Sequence, residues 1–306
     1  IERITNPGPD EEIYGSTDWF DLLFRDAAPT YTNTISVQGG NDRVKFFTSL
    51  GSYNQEGAVK RTSYDKYYFR SNLDAKITDN FDYSMNLYGS VDNQKSPGAS
   101  VSPNAYAGVF VQAMLSYPFL KPYTKDGMPI ASMNTDGQGN NNPLAARDLS
   151  GRQTSKTTKF QGDISLRYKL PLKGLSVKLD AAFLKTHTMR KAEATPYKVF
   201  SWNQTTHQGN VENGRIWSMA SVSNWYGSLQ RYTIRPTVEY NNTFGKHDVS
   251  ALFLYEFARE DYEGISAGRE DFPLTNIMDI SYGNKVSEYW SNFDMNHVAC
   301  SIADPT

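Results

Sequence analysis

Apolar and polar residues alternate one by one over long stretches of this chain, and each stretch reads as a β-strand with two unlike faces. In YYFRSNLDAKI, Tyr67, Phe69, Leu73, Ala75 and Ile77 share one face, with Ser71 the only polar intruder. Tyr68, Arg70, Asn72, Asp74 and Lys76 share the other. Phe81, Tyr83, Met85, Leu87, Gly89 and Val91 repeat the pattern against Asp82, Ser84, Asn86, Tyr88 and Ser90. A third copy sets Phe160, Ile164, Leu166, Tyr168 and Leu170 against Gln161, Asp163, Ser165, Arg167 and Lys169. A fourth sets Ile234, Val238 and Tyr240 against Thr233, Arg235, Thr237 and Glu239. Pro236, inside it, has no N–H to donate, which predicts a bulge or weakened pairing there. Weaker alternation covers 31–38, 43–53, 174–187 and 247–258. The total is about eight strands of roughly 9 to 14 residues, long enough to cross a bilayer at a tilt.

The connections sort by length. Short turns at 39–42, 77–80, 171–174 and 244–247 alternate with long connections at 54–64, 93–157, 189–224 and 259 onward. Short turns at one end and long loops at the other mark an up-and-down membrane barrel, with periplasmic turns and extracellular loops. The predicted fold class is therefore all-β: an antiparallel transmembrane β-barrel, incomplete at this strand number. Two other architectures satisfy the same alternation. A complete small barrel of porin or adhesion type requires Tyr31–Gln38 to pair with the last strand. A soluble carbohydrate-binding sheet domain requires the apolar faces to pack on a second sheet about 10 Å away.

Composition sharpens this choice. Aromatics make up 13% of the 306 residues, with 20 Tyr and 16 Phe, in a chain that is hydrophilic on average. That combination suits strands with one face in lipid and one in water. Lys plus Arg number 31 against 33 Asp plus Glu, so no basic stripe argues for nucleic acid. Cys300 is the single cysteine, which excludes an intrachain disulfide and any multi-cysteine zinc site. The chain opens on Ile1 in a polar segment without an initiator Met, which reads as an internal fragment.

Ordered motifs then carry a family resemblance. STDWFDLLFRDA is followed by NTISVQGGNDRVKFFTSLGSYNQEG and by YDKYYFRSNLDAKIT. NPLAARD at 142–148, KGLSVKLD at 173–180 and REDFP at 269–273 come later in the same order. Together they resemble SusC/RagA-like TonB-dependent outer-membrane transporters. The motif positions are Asp18, Trp19, Gly39, Gly40, Asn54, Gln55, Gly57, Arg70, Asn72 and Asp74. Ser52 interrupts the family's Gly-Tyr step, and the tail MNHVACSIADPT lacks its aromatic strand pattern. The resemblance implies residues 1–30 as a plug-to-barrel linker and 31–306 as the first part of a barrel. It further implies import of a glycan or peptide substrate across the outer membrane of a Gram-negative bacterium. The implied partners are a SusD-like surface lipoprotein, the TonB complex and the outer-membrane lipid.

No residue pattern calls for catalysis or a cofactor. Glu260, Asp261, Glu263, Glu270 and Asp271 read as an acidic surface loop rather than a glycosidase pair. His187, His207, His247 and His297 lack zinc-site spacing, and no GxSxG elbow occurs. DGQGNNN at 136–142 lacks calcium-loop spacing and reads as a flexible turn. Candidate substrate contacts are Trp202, Asn203, Trp217 and Trp225, whose rings and amide neighbours suit sugar recognition as well as loop packing or an interfacial girdle. Segment 104–120 is apolar, with a helix-compatible stretch over 104–116; its Tyr106, Phe110, Tyr117 and Phe119 are candidates for loop packing or partner contact. Thr17 or Asp18 is an N-cap candidate for a short helix, which the resemblance implies connects plug to barrel and which a plainer reading makes a strap packed on the periplasmic end.

Overall fold

The computed structural model describes residues 13–100, 108–132, 141–203, 208–214, 218–273 and 277–302. Nine strands form one antiparallel sheet, each beside its sequence neighbour apart from one inserted hairpin. They are β1 (Thr30–Gly40), β2 (Val44–Glu56), β3 (Ser63–Thr78), β4 (Phe81–Pro97), β5 (Gly151–Lys169) and β6 (Leu175–Ala194), then β9 (Ser221–Phe244), β10 (His247–Glu270) and β11 (Lys285–Ile302). The hairpin β7 (Lys198–Asn203) with β8 (Gln208–Asn213) stands apart from the sheet, between β6 and β9. β1 lies at one end of the sheet and β11 at the other, so Tyr31–Gln38 pairs with β2 and does not close a small barrel.

Tight turns set the register. Asn41 accepts from the Arg43 and Val44 backbone N–H groups through its side chain. Gly40 adopts φ +154, where an added Cβ would sit 2.3 Å from the Val44 carbonyl, so this motif glycine is required by the turn. At the other end of β2, a Cβ on Gly57 would overlap the Thr62 hydroxyl. Between β9 and β10 the register runs to Leu254↔Thr237 and resumes at Phe257↔Ile234 unshifted. Pro236 therefore weakens pairing locally without producing a bulge.

Register and alternation assign every face. The ladder puts Phe69 beside Leu50 and Gly89, and Gly89 beside Phe160, which continues the apolar face from strand to strand. These side chains meet no second sheet: Ile77 is 55% exposed and Ile164 42%, and Phe69, Leu73, Tyr83, Leu87 and Leu166 are half-buried at most. Burial against a sandwich partner would have covered them, so the soluble-sheet alternative fails. The span from Phe160 to Tyr168 is about 27 Å along the strand, or about 20 Å at a tilt near 40°, close to a barrel's apolar band. Phe160, Phe183 and Tyr232 form a row across its upper edge, with centroids 6.4 and 5.1 Å apart.

Several strands outrun the lengths expected from sequence. β6 has 20 residues, and β9 and β10 have 24 each. Pairing thus continues above the apolar band, where both faces are polar and alternation no longer announces a strand. Glu260, Asp261, Glu263 and Glu270 lie on β10, not in a surface loop. Residues 295–302 of the tail without aromatic alternation belong to β11, the ninth strand of the sheet, and 303–306 lie outside the described residues.

The buried core lies outside the mid-span of the sheet. Ile13, Trp19 and Leu23, ahead of β1, cluster with Val59, Val109, Leu120, Ile130, Leu144 and Val199 of the long connections, forming a crown at one end. Among the described residues three short helices build it: α1 (Trp19–Leu23), α2 (Val109–Leu115) and α3 (Pro143–Leu149). Asp18 is the N-cap of α1, accepting from Phe20 and Asp21, while Thr17 donates to the Leu120 carbonyl. This overturns the strap on the short-turn end. Trp19 Nε1 donates to Tyr117, and Arg25 pairs with Glu56 at 2.9 Å, so α1 sits among the long connections. Within the expected helix at 104–116, the described part forms α2 only from Val109; Tyr106 lies outside the described residues.

Candidate functional site

The concave face collects the polar half of every strand. Asp74, Asp82, Asn86, Asp163, Arg167, Lys178, Asp180 and Arg235 surround an open concavity of about 810 Å³. Charges on this wall are paired, mostly across strands. Arg167 meets Glu239 at 3.2 Å and Lys169 meets Asp82 at 3.8 Å, while Lys178 meets Asp180 at 3.0 Å along β6 itself. Arg235 bonds Glu256, and Arg231 bonds Glu260. Long cationic side chains beside carboxylates keep the wall hydrophilic while leaving few uncompensated charges.

Higher on the same face, aromatic and cationic groups meet. Lys66 and Lys159 both approach the Tyr88 ring, each 5.9 Å from its centroid. Asp92 lies 3.9 Å from Lys66, and Tyr53 and Tyr64 meet edge-on at 6.0 Å. Tyr68 shares a 3.1 Å hydrogen bond with Thr34. Arg190 lies 4.9 Å over the Trp225 ring. Cationic groups held against aromatic faces offer charge and stacking together.

The sequence candidates separate accordingly. Trp225 is on the concave wall. Trp202 instead packs against the crown core, beside Phe200. Asn203 pairs through its backbone with Gln208, and Trp217 lies outside the described residues. Phe110 meets Phe20 and Phe24 edge-on at 5.9 and 6.1 Å, and Tyr117 stacks on Phe119 at 5.0 Å, all within the crown. Arg70, Asn72 and Asp74 line the concave side. Asn54 donates to Asp65 at 2.8 Å, and Gln55 accepts from Tyr53 at 3.0 Å. Tyr88 with Lys66 and Lys159 was not singled out from sequence, although alternation places all three on polar faces. What was missing was the register that brings three strands' polar positions together.

Asn142, in the NPLAARD motif, organises the crown; residues 136–140 of the expected flexible turn lie outside the described residues. It is fully buried, caps α3 by accepting from Leu144 and Ala145, and donates to the Pro122 and Ile130 carbonyls. Tyr197 is its opposite. Its hydroxyl is buried without a hydrogen-bond partner among the described residues, and burial pushes its pKa far up. Tyr197→Phe removes an unsatisfied polar atom and should stabilise the crown by about 1 kcal/mol. Slower amide exchange in the crown would register it; faster exchange would show that the hydroxyl is bonded.

No protein-family model matches the chain. TonB-dependent receptor P26 of Formosa agariphila is 32% identical over 160 residues, covering 52% of this chain and 15% of its own. TonB-dependent receptor P3 of the same organism is 24% identical over 271 residues, covering 88% of this chain and 25% of its own. Among solved structures, the RagAB peptide importer in its open-open state superposes with TM-score 0.72 at 21% identity, over 92% of this chain and 30% of that one. Its closed-closed state gives 0.71 at 20% identity. The chain matches part of a TonB-dependent receptor barrel. It spans a quarter or less of the curated relatives it matches. The chain shares the RagAB-like fold, an open nine-stranded part of such a barrel, and belongs to the outer membrane of a Gram-negative bacterium. This kinship is with transporters rather than enzymes.

Proposed function

We propose that this chain supplies wall and crown to an importer of glycans or peptides, working with a SusD-like surface lipoprotein and energised through the TonB complex. The observation that carries the reading is the concave wall, where paired charges give way upward to Tyr88, Lys66, Lys159, Trp225 and Arg190 below a packed crown. Such a wall lets a hydrated solute approach through successive weak contacts rather than one tight pocket. The peptide importer RagAB supports peptides as one cargo class. The lipoprotein partner is supported by apolar residues the crown leaves uncovered: Phe20, Met114, Leu115 and Leu149 on α1, α2 and α3. Large exposed apolar groups of this kind mark interaction sites.

The test is uptake by cells carrying the full-length receptor, with labelled oligosaccharide and labelled peptide mixtures offered separately. Tyr88→Ala with Trp225→Ala should lower accumulation of one class by on the order of tenfold at unchanged receptor level, taking roughly 1 kcal/mol or less per lost ring contact. Equal accumulation of both classes in cells lacking the receptor would end the import reading.

A further inference from the structure

We propose that the upper concave wall selects cargo bearing spaced carboxylate groups, through Arg70 and Lys159 on either side of Tyr88 and through Arg190 over Trp225. The proposal deepens the import reading and rests on it.

Alternation and register put Lys66 and Arg70 of β3, Tyr88 of β4, Lys159 and Gln161 of β5 and Arg190 of β6 on the concave face. Arg70 pairs with Tyr88 across β3 and β4, and Tyr88 pairs with Gln161 across β4 and β5. Arg70 and Lys159 therefore flank the ring, and with Asn72, Asn86 and Gln161 they line a concavity of about 480 Å³. The carboxylate lining it, Asp163, accepts from the Gln161 amide at 3.2 Å. Lys66, the other cation at the ring, is paired with Asp92 at 3.9 Å. Among the described residues Arg70, Lys159 and Arg190 have no ion-pair partner, and both arginines are exposed. At and above the aromatic row, this face of β3 to β6 thus carries Lys66, Arg70, Lys159 and Arg190 against Asp92, with Asp163 just below. Positive charge is in excess there, whereas Arg167 and Arg235 lower on the wall are held by Glu239 and Glu256.

Arg190 lies 4.9 Å from the centre of the Trp225 ring, and that ring rests against Gly227, where an added Cβ would come within 2.3 Å of it. Trp225 is thereby occupied in holding Arg190, and the guanidinium is the group left to meet cargo. An aromatic face orients a cation without neutralising it. A guanidinium fork then binds a carboxylate through two parallel hydrogen bonds. Lys159 pairs with Thr186, which lies further down β6 than Arg190. At about 3.3 Å per residue the two cations stand about 13 Å apart along the strand, too far for one carboxylate to bridge. A chain with spaced carboxylates, an acidic peptide or a uronate oligosaccharide, reaches both. Charge of one sign in a walled cleft also raises the local concentration of an oppositely charged solute.

The experiment is uptake by cells carrying the full-length receptor, with labelled peptide and oligosaccharide mixtures each divided by ion exchange into anionic and uncharged fractions. Wild type should accumulate the anionic fraction of one mixture on the order of tenfold above its uncharged fraction, and the mixture that shows this identifies the source of the carboxylates. The triple variant Arg70→Gln, Lys159→Gln, Arg190→Gln should lose that preference at unchanged receptor level, while Arg70→Lys with Lys159→Arg should keep it. Methyl esterification removes carboxylate charge but leaves sulfate esters charged, and it should abolish the preference in wild type. A preference that survives esterification or survives in the Gln triple overturns the proposal, as does equal accumulation of the two fractions by wild type. Each of those outcomes leaves import standing, whereas no receptor-dependent accumulation of any fraction ends the import reading and this inference together. Heat-modifiable migration reports folding of the triple, and Arg190→Gln alone, at an exposed site, repeats the test with an expected loss of about threefold.

Discussion

Ile164→Arg is expected to destabilise the inserted receptor by about 2–4 kcal/mol, whereas Ser165→Arg, one residue along, should cost less than about 1 kcal/mol. Consecutive strand residues point to opposite faces, so a single step along β5 moves the guanidinium from lipid to water. Ile164 pairs with Met85 and Ala181 on the outward face, between Phe160 and Tyr168, where no counter-charge is available. Ser165 faces the concave side opposite Asp180, beside Asp163 on the same wall. An arginine there gains a carboxylate neighbour and remains hydrated. The measurement is denaturant unfolding of the full-length receptor from lipid vesicles. Equal losses for the two variants would mean that this face does not meet lipid.

Asn142→Ala is expected to loosen the crown by about 3–5 kcal/mol, among the largest effects available outside the membrane band. The side chain satisfies two backbone N–H groups of α3 and two carbonyls from the preceding connection. Each buried group left without a partner costs about 1–3 kcal/mol, partly recovered as the crown relaxes. Pro143 at the first helical position has no N–H to lose, which concentrates the capping demand on Leu144 and Ala145. Asn142→Ser retains an acceptor for the helix and should recover about half of the loss. Amide exchange in α3 and in 117–132 reads the effect, and exchange in the mid-span of β3 to β6 should not change. Uniform destabilisation of crown and wall would show that the two do not open separately.

These two expectations rest on different kinds of information. The wall was legible along the chain, because a period of two is a local property and a lipid-facing sheet must keep it. Phe69, Leu73, Ile164 and Leu166 were placed on their face by counting alone, and the short turns identified one end. Above the apolar band that signal fails. With water on both faces nothing forces alternation, so the upper parts of β6, β9 and β10 and the whole of β11 looked like loop. For the same reason sequence alone places Glu260 in a surface loop, although its register partner is Arg231.

The crown was the least legible region, since its contacts join positions far apart. Trp19 bonds Tyr117, Arg147 donates to the Leu22 carbonyl, and Ile130 bridges to Phe200. No periodicity reports such contacts, and only burial explains why α1 lies among the long connections rather than at the turns. The grouping of Tyr88 with Lys66 and Lys159 was hidden likewise. The sequence by itself determined which residues face lipid and which face water, because alternation and turn chemistry are local. Tertiary structure alone decided which of those water-facing residues meet, because that depends on strand order, register and the burial of long connections against one another.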